Sequence, residues 1–280
     1  MNFKYIDAHA HVNFAAYDED RSEVIERALN EGVAMINVGT QKDTSKEAVE
    51  LSEQYEAGVY AIIGLHPIHT GKSFHDKEEL GGDDEGFTSR GEVFDKEYYR
   101  ELATNKKVVG IGECGLDYFR AEKEDKDTQT KNFISQIELA DELSLPLMLH
   151  VRPKEKDDAY LDALAILDSF PNVKGNSHFF AGSKETAKKF LKRGFTLSFT
   201  GVITFTKDYD ELVRYVSLEN MLIETDCPYV TPAPHRGHRN EPRYVKEVAK
   251  KIAVIKNLPL EQVEKKVFEN TREFFGLVDL

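Results

Sequence analysis

The chain has 280 residues, 40% apolar and 31% charged, enough for one sizeable core arranged as an α/β barrel or a doubly wound sheet. Its formal net charge of −13 excludes nucleic-acid binding through a protein-wide basic surface, so any phosphate partner needs a local basic patch or metal ions. Cys114 and Cys227 are its only cysteines, which excludes a disulfide framework and suits a reducing compartment. No apolar run approaches the roughly 20 residues that span a bilayer, and the N-terminus lacks the basic start and apolar core of a signal peptide, so the expectation is a cytoplasmic protein without a membrane partner.

The first element is Tyr5-Ile6-Asp7-Ala8-His9-Ala10-His11, a short apolar strand ending in two histidines. Alternation along a strand puts His9 and His11 on one side, as half of a metal site would require. Arg21 to Asn30 carries Val24, Ile25, Ala28 and Leu29 at helical spacing and is stopped by Gly32. A second strand, Val33 to Val38, is followed by a helix from Thr44 to Tyr55. A third strand, Val59 to Ile63, leads into Gly64-Leu65-His66-Pro67. From His69 to about Val93 the pattern fails in a stretch rich in glycine and acid, which predicts an exposed loop.

Regularity returns with a helix near Lys96 to Thr104 and a fourth strand, Val108 to Gly112. A long helix, about Asp127 to Leu143, precedes the strand Leu147 to His150. Helix Ala159 to Ser169 precedes strand Val173 to His178, and helix Lys184 to Arg193 precedes strand Phe195 to Phe199. Helix Tyr209 to Val216 leads to the eighth strand, Met221 to Glu224, and helices at about Pro242 to Lys256 and Leu260 to Phe275 close the chain. Strand and helix alternating eight times is the pattern of a TIM (β/α)8 barrel, whose usual length of about 250 residues fits with one insertion. No linker, repeat or low-complexity tract points to a second domain, so residues 1–280 read as one.

The remaining metal-ligand types fall at one end of such a barrel. Glu113 follows the fourth strand, His150 ends the fifth, His178 ends the sixth and Asp226 follows the eighth, all at the face where His9 and His11 emerge. Singly, each has a plainer explanation as a core histidine or a helix cap; together they predict a shared site. Four histidines and two carboxylates exceed the needs of one tetrahedral ion. Two divalent ions about 3.5–4 Å apart are expected, bridged by a carboxylate. Imidazole and carboxylate together suit Zn, Mn, Co or Fe, with Mg favouring the oxygen ligands. Such a pair performs hydrolysis, with Asp226 as the general base, a carboxylate able to reach both metal and water.

Asp7-Ala8-His9-Ala10-His11, Gly112-Glu113-Cys114-Gly115-Leu116-Asp117-Tyr118, His150-Val151-Arg152, Gly194 to Gly201 and Glu224-Thr225-Asp226-Cys227-Pro228-Tyr229 resemble, in order, the signature blocks of the TatD family of metal-dependent hydrolases. The match extends through Arg236-Gly237-His238-Arg239-Asn240-Glu241-Pro242. The resemblance implies a metal-dependent deoxyribonuclease, often a 3′–5′ exonuclease, on a TIM barrel of the amidohydrolase superfamily. It also implies His9, His11, Glu113, His150, His178 and Asp226 as metal ligands, with Glu113 standing where many superfamily relatives use a modified lysine. Three features depart from the family pattern: His178-Phe179-Phe180 replaces His-Cys-Phe, His66-Pro67-Ile68-His69 displaces the second histidine of His-Pro-His by one residue, and the acidic loop is long.

A phosphodiester needs positive charge beside the metals. His235, Arg236, His238, Arg239 and Arg243 follow the eighth strand, and Arg152 follows His150. His66, Arg152, Arg236 and Arg239 are therefore the candidates for contact with DNA ends or short single strands. The acidic segment, with Asp76, Glu78, Glu79, Asp83, Asp84 and Glu85, is expected to repel long polyanions. The competing readings are an enzyme cleaving an amide, ester, lactone or aminoacyl-tRNA with the same site, and a non-catalytic metal-binding scaffold. Retention of both Asp226 and Glu113 argues against the scaffold, because a sensor needs ligands but no water-activating base. Oligomeric state is left open, with a monomer the simplest case.

Overall fold

A computed structural model describes residues 2–75, 77–80, 87–119 and 125–280. In chain order its elements are β1 (Tyr5–Ala10), α1 (Arg21–Asn30), β2 (Val33–Val38), α2 (Lys42–Glu53), β3 (Val59–Ile63), β4 (Lys72–His75), α3 (Lys77–Leu80) and β5 (Phe87–Arg90). They continue as α4 (Lys96–Leu102), β6 (Val108–Asp117), α5 (Asp125–Leu143), β7 (Leu147–Arg152), α6 (Asp158–Leu167), β8 (Gly175–Ser177), α7 (Lys184–Lys192), β9 (Thr196–Phe199), α8 (Asp210–Tyr215), β10 (Met221–Ile223), α9 (Val245–Lys256) and α10 (Leu260–Phe274). Eight strands form one parallel sheet in the order β1-β2-β3-β6-β7-β8-β9-β10. This is the expected (β/α)8 barrel. Among the described residues no helix is long and apolar enough to cross a membrane.

The seam between β10 and β1 closes just beyond β10. Ala10 bridges Cys227 in parallel, Asp226 N donates to His9 O at 2.9 Å, and His11 N donates to Cys227 O at 2.9 Å. Asp7, fully buried, adds a side-chain clasp by accepting from Thr225 N at 2.8 Å. Barrel closure and the placement of three site residues therefore depend on the same backbone hydrogen bonds.

Two apolar layers result. The helices pack their inward stripes on the outside of the sheet, as α1 does with Val24, Ile25, Ala28 and Leu29. A second cluster fills the barrel, including Ile6, Ala8, Ile36, Ile62 and Met148, together with Phe275 and Leu277 from the chain end. On β1, Tyr5 belongs to the outer layer while Ile6 and Ala8 belong to the inner one. Unbroken alternation would then carry His9 and His11 outward. One extra residue between Asp7 and Ala10 prevents this: Asp7 pairs with Met35, whereas Ala10 pairs with Asn37. Ala10 and Val12 thus join the outer layer, and the histidines enter the barrel.

Two expectations are corrected here. Strand β6 does not stop at Gly112, because parallel pairing with β7 resumes at Cys114↔Leu149 and runs to Asp117↔Arg152. Glu113 therefore lies within the strand, at a register shift, rather than after it. Close approach of the strands requires glycine here: at Gly115, φ is +138° and a Cβ would stand 2.1 Å from His150 O. The stretch from His69 to Val93 is also not a structureless loop. Pro67–His69 form a 3-10 turn, β4 and β5 pair antiparallel, and Glu92 N donates to His69 O at 2.8 Å to tie the base of the excursion. Asp76, Asp83, Asp84 and Glu85 lie outside the described residues.

Candidate metal centre

The predicted ligands meet at the carboxyl ends of the strands. His9 Nε2 and His11 Nε2 are 3.1 Å apart, and Asp226 Oδ1 lies 3.8 and 3.5 Å from them. Glu113 Oε2 is 3.4 Å from His9 Nε2 and 3.8 Å from His11 Nε2. The other oxygen, Glu113 Oε1, faces His150 Nδ1 and His178 Nε2, each at 2.9 Å. Glu113 thus presents one oxygen to each of two groups of imidazoles.

The far nitrogens decide what the near ones offer. His11 Nδ1 donates to Val38 O at 2.8 Å, and His150 Nε2 lies 3.1 Å from Asp117 Oδ2 as its donor. Glu224 Oε1 accepts from Phe179 N and lies 3.3 Å from His178 Nδ1. Val38 and Asp117 therefore turn His11 Nε2 and His150 Nδ1 toward the centre as lone pairs, where they meet carboxylate oxygens. Acceptors facing acceptors repel unless a cation or proton lies between them. The donor set therefore fits divalent cations, with Asp117 and Glu224 as the outer carboxylates that orient two of the ligands.

The protonation states agree. Burial would raise the Glu113 carboxyl, but the surrounding His66, His178 and His9 imidazoles and the contact with His150 hold it well below the usual carboxylate range. Burial opposes the same outcome at Asp226, where the contact with His11 and the nearby His178 and His9 imidazoles win. At His178 burial is likewise outweighed, by Glu113, and its pKa is raised.

His66 differs from the ligands. Its Nδ1 accepts from Ile68 N at 3.2 Å, and burial, then the charge of His150, pushes its pKa down to about 4. The neutral ring consequently carries its proton on Nε2, 3.4 Å from Glu113 Oε1. It faces the centre as a hydrogen-bond donor, consistent with substrate contact.

The site opens into a cavity of about 430 Å³ whose wall includes Arg152, Phe179, Tyr209 and Tyr229. Arg152 is exposed, with its guanidinium 4.0 Å above the Phe119 ring. The other arginines are placed differently. Arg239 donates to both oxygens of Asp20, at 2.8 and 2.7 Å, and to Ala16 O, and its guanidinium stacks over Tyr17. Arg243 is paired with Glu31 and Glu241. Neither Arg236 nor Arg239 lines the cavity; Arg236 is exposed, donates to Thr231 O and lies over Phe205. Arg239→Ala is therefore expected to lower unfolding stability by about 1–2 kcal/mol, because it unties the loop after β10 from the segment before α1. Denaturant titration checks this, and an unchanged midpoint would show that the pairing contributes nothing.

The sequence pattern assigns no role to Asp117, Glu224 or Asp7, and does not pair His69 with Glu79. Asp117 and Glu224 lie inside the quoted blocks, but no spacing marks a carboxylate as an orienter of histidine. In sequence Glu79 reads as one of the acids of an exposed loop; in the fold it is 6% exposed and lines the cavity.

A family model described as TatD related DNase matches residues 6–276. The chain belongs to this family. It is 40% identical over 276 residues to a Bacillus subtilis protein named uncharacterized metal-dependent hydrolase YabD, covering 97% of this chain and 98% of that one. It is 31% identical to a Cronobacter sakazakii protein named 3′-5′ ssDNA/RNA exonuclease TatD, covering 88% of each. The crystal structure of YJJV, a TatD homolog from Escherichia coli, superposes with a TM-score of 0.81 over 99% of both chains at 24% identity, and so shares the fold.

Proposed function

We propose that this protein is a divalent-metal-dependent deoxyribonuclease that removes nucleotides from the 3′ end of single strands. Membership of a family of metal-dependent hydrolases supports the reaction class, and the names of the exonuclease relatives support the substrate. The observation that carries the reading is Glu113, whose two oxygens face separate groups of imidazoles 2.9–3.8 Å away. In this reading His9, His11 and Asp226 would hold one cation and His150 and His178 the other, with Glu113 offering one carboxylate oxygen to each group. The ions are drawn from Zn, Mn, Mg, Co or Fe.

When bound, such a pair supplies a water of lowered pKa and neutralises charge on the phosphoryl oxygens. The chain does the rest. Asp226, kept ionised by the surrounding imidazoles, takes the water's proton. His66 donates from Nε2 to a phosphoryl oxygen. Arg152, on the cavity wall, pairs with a neighbouring phosphate through its planar fork. Arg152→Ala is accordingly expected to raise KM for single-stranded DNA and to flatten the salt dependence of binding by about one unit of slope. An unchanged slope would remove Arg152 from the substrate path.

The deciding experiment is turnover by metal-stripped and metal-restored protein on a panel of 5′-labelled single-stranded DNA, RNA, a lactone and a dipeptide. The expected result is metal-dependent shortening of DNA from the 3′ end in single-nucleotide steps. Turnover of the lactone or dipeptide with DNA left intact would replace this reading with the amidohydrolase one.

A further inference from the structure

Among the described residues two phenylalanines are exposed, Phe119 and Phe205, and each lies under a guanidinium, that of Arg152 at 4.0 Å and that of Arg236 at 4.1 Å. Arg152 belongs to the cavity wall, whereas the second pair stands outside it. Phe205, 44% exposed, closes the 3-10 turn Gly201–Thr204 that follows β9, and Arg236 lies on the loop that follows β10. The two loops are packed together: Ala233 N donates to Thr204 Oγ1 at 2.8 Å, and a Cβ at Gly201 would stand 2.4 Å from Val230 O. Each also supplies a tyrosine to the cavity wall, Tyr209 from the first and Tyr229 from the second. The Phe205–Arg236 pair is therefore built on the same joined loops that wall the candidate metal centre.

We propose that Phe205 and Arg236 form an outer stacking site for the body of a single strand whose end is held in the cavity: a base extends the phenyl–guanidinium stack, and the guanidinium pairs with a phosphate of the same stretch. The inference rests on the nuclease reading above and adds a dependence on strand length. Two observations point to this occupant. First, Arg236 keeps its charge: it donates to Thr231 O and forms no ion pair among the described residues, whereas its neighbours Arg239 and Arg243 are bound to carboxylates. On a chain of net charge −13, an unspent cation beside the cavity is a local attraction for an anion. Second, the exposed ring beneath it gains nothing from a simple anion, but offers a flat apolar face to a flat ligand. A nucleotide within a strand brings a planar base and a phosphate together. Bases stack on aromatic rings and on guanidinium planes with little regard to sequence. Because the pair lies outside the cavity, it serves nucleotides upstream of the cut and not the one being removed.

The test uses the metal-restored full chain on a dinucleotide and a decanucleotide of single-stranded DNA, with KM and kcat read separately. The wild type is expected to show a KM at least about fivefold lower for the decanucleotide, the smaller end of what one stacked base contributes. Phe205→Leu keeps an apolar side chain but removes the ring; it should raise the decanucleotide KM about fivefold and leave the dinucleotide KM and both kcat values within about twofold. Phe205→Tyr, which restores a ring, should keep the wild-type values. Arg236→Gln keeps a donor for Thr231 O but removes the charge, and should lower the salt slope of decanucleotide binding by about one while leaving that of the dinucleotide unchanged. Because both substrates meet the same active fraction, the ratio of their KM values is insensitive to partial misfolding of a variant. A wild-type KM independent of length, an unchanged ratio in Phe205→Leu, or equal losses in Phe205→Leu and Phe205→Tyr would overturn the outer site while leaving the nuclease reading standing. If the wild type cleaves neither strand, the nuclease reading itself has failed and the outer site falls with it.

Discussion

Asp226→Asn is expected to lower kcat by about 10²–10⁴-fold while retaining much of the metal, because an amide can still present an oxygen ligand but cannot take a proton from water. The substitution is clean for structural reasons. Asp226 sits in the left-handed region at φ 56°, which asparagine also tolerates, and its position is fixed by its own backbone, with the N–H donating to His9 O at 2.9 Å. The carboxylate is 3.5 Å from His11 Nε2 and 14% exposed, so it is reachable from the cavity. Steady-state rates combined with elemental analysis separate the two possible losses. A near-wild-type rate at full metal content would mean that another group takes the proton.

Glu113→Ala should have a larger effect on metal content, lowering the stoichiometry and collapsing activity together. Its two oxygens lie between His9 and His11 on one side and His150 and His178 on the other, so truncation removes a donor from both groups at once. Changing a residue that merely orients a ligand typically costs 10–100-fold in metal affinity, and losing a bridging ligand should exceed that. Truncation also leaves several buried imidazoles facing one another without the carboxylate that favours their charged forms. Glu113→Gln keeps the volume but removes the charge, and should still lose metal. Unchanged metal content in both variants would end the bridging role.

Much of this protein was legible in its amino-acid order because local physics sets the periodicities involved. Runs such as Val33 to Val38 and stripes such as Val24, Ile25, Ala28 and Leu29 gave the eight-fold alternation, and the alternation placed His9, His11, Glu113, His150, His178 and Asp226 at one face. Ligand chemistry followed from residue type. What the tertiary structure decided were matters of parity and of partner. The extra residue between Asp7 and Ala10 turns His9 and His11 into the barrel, and only the pairing of β1 with β2 exposes it. A cluster of arginines in sequence reads as a phosphate patch, yet Arg239 and Arg243 spend their charge on Asp20 and Glu31, acids far away in the chain, with Glu241 beside them. Acids in a glycine-rich excursion read as solvated, yet Glu79 folds back against His69 and Thr40. Periodicity is a property of neighbours along the chain, whereas the partner of a charge is fixed by contacts between distant segments, which form only when the barrel closes.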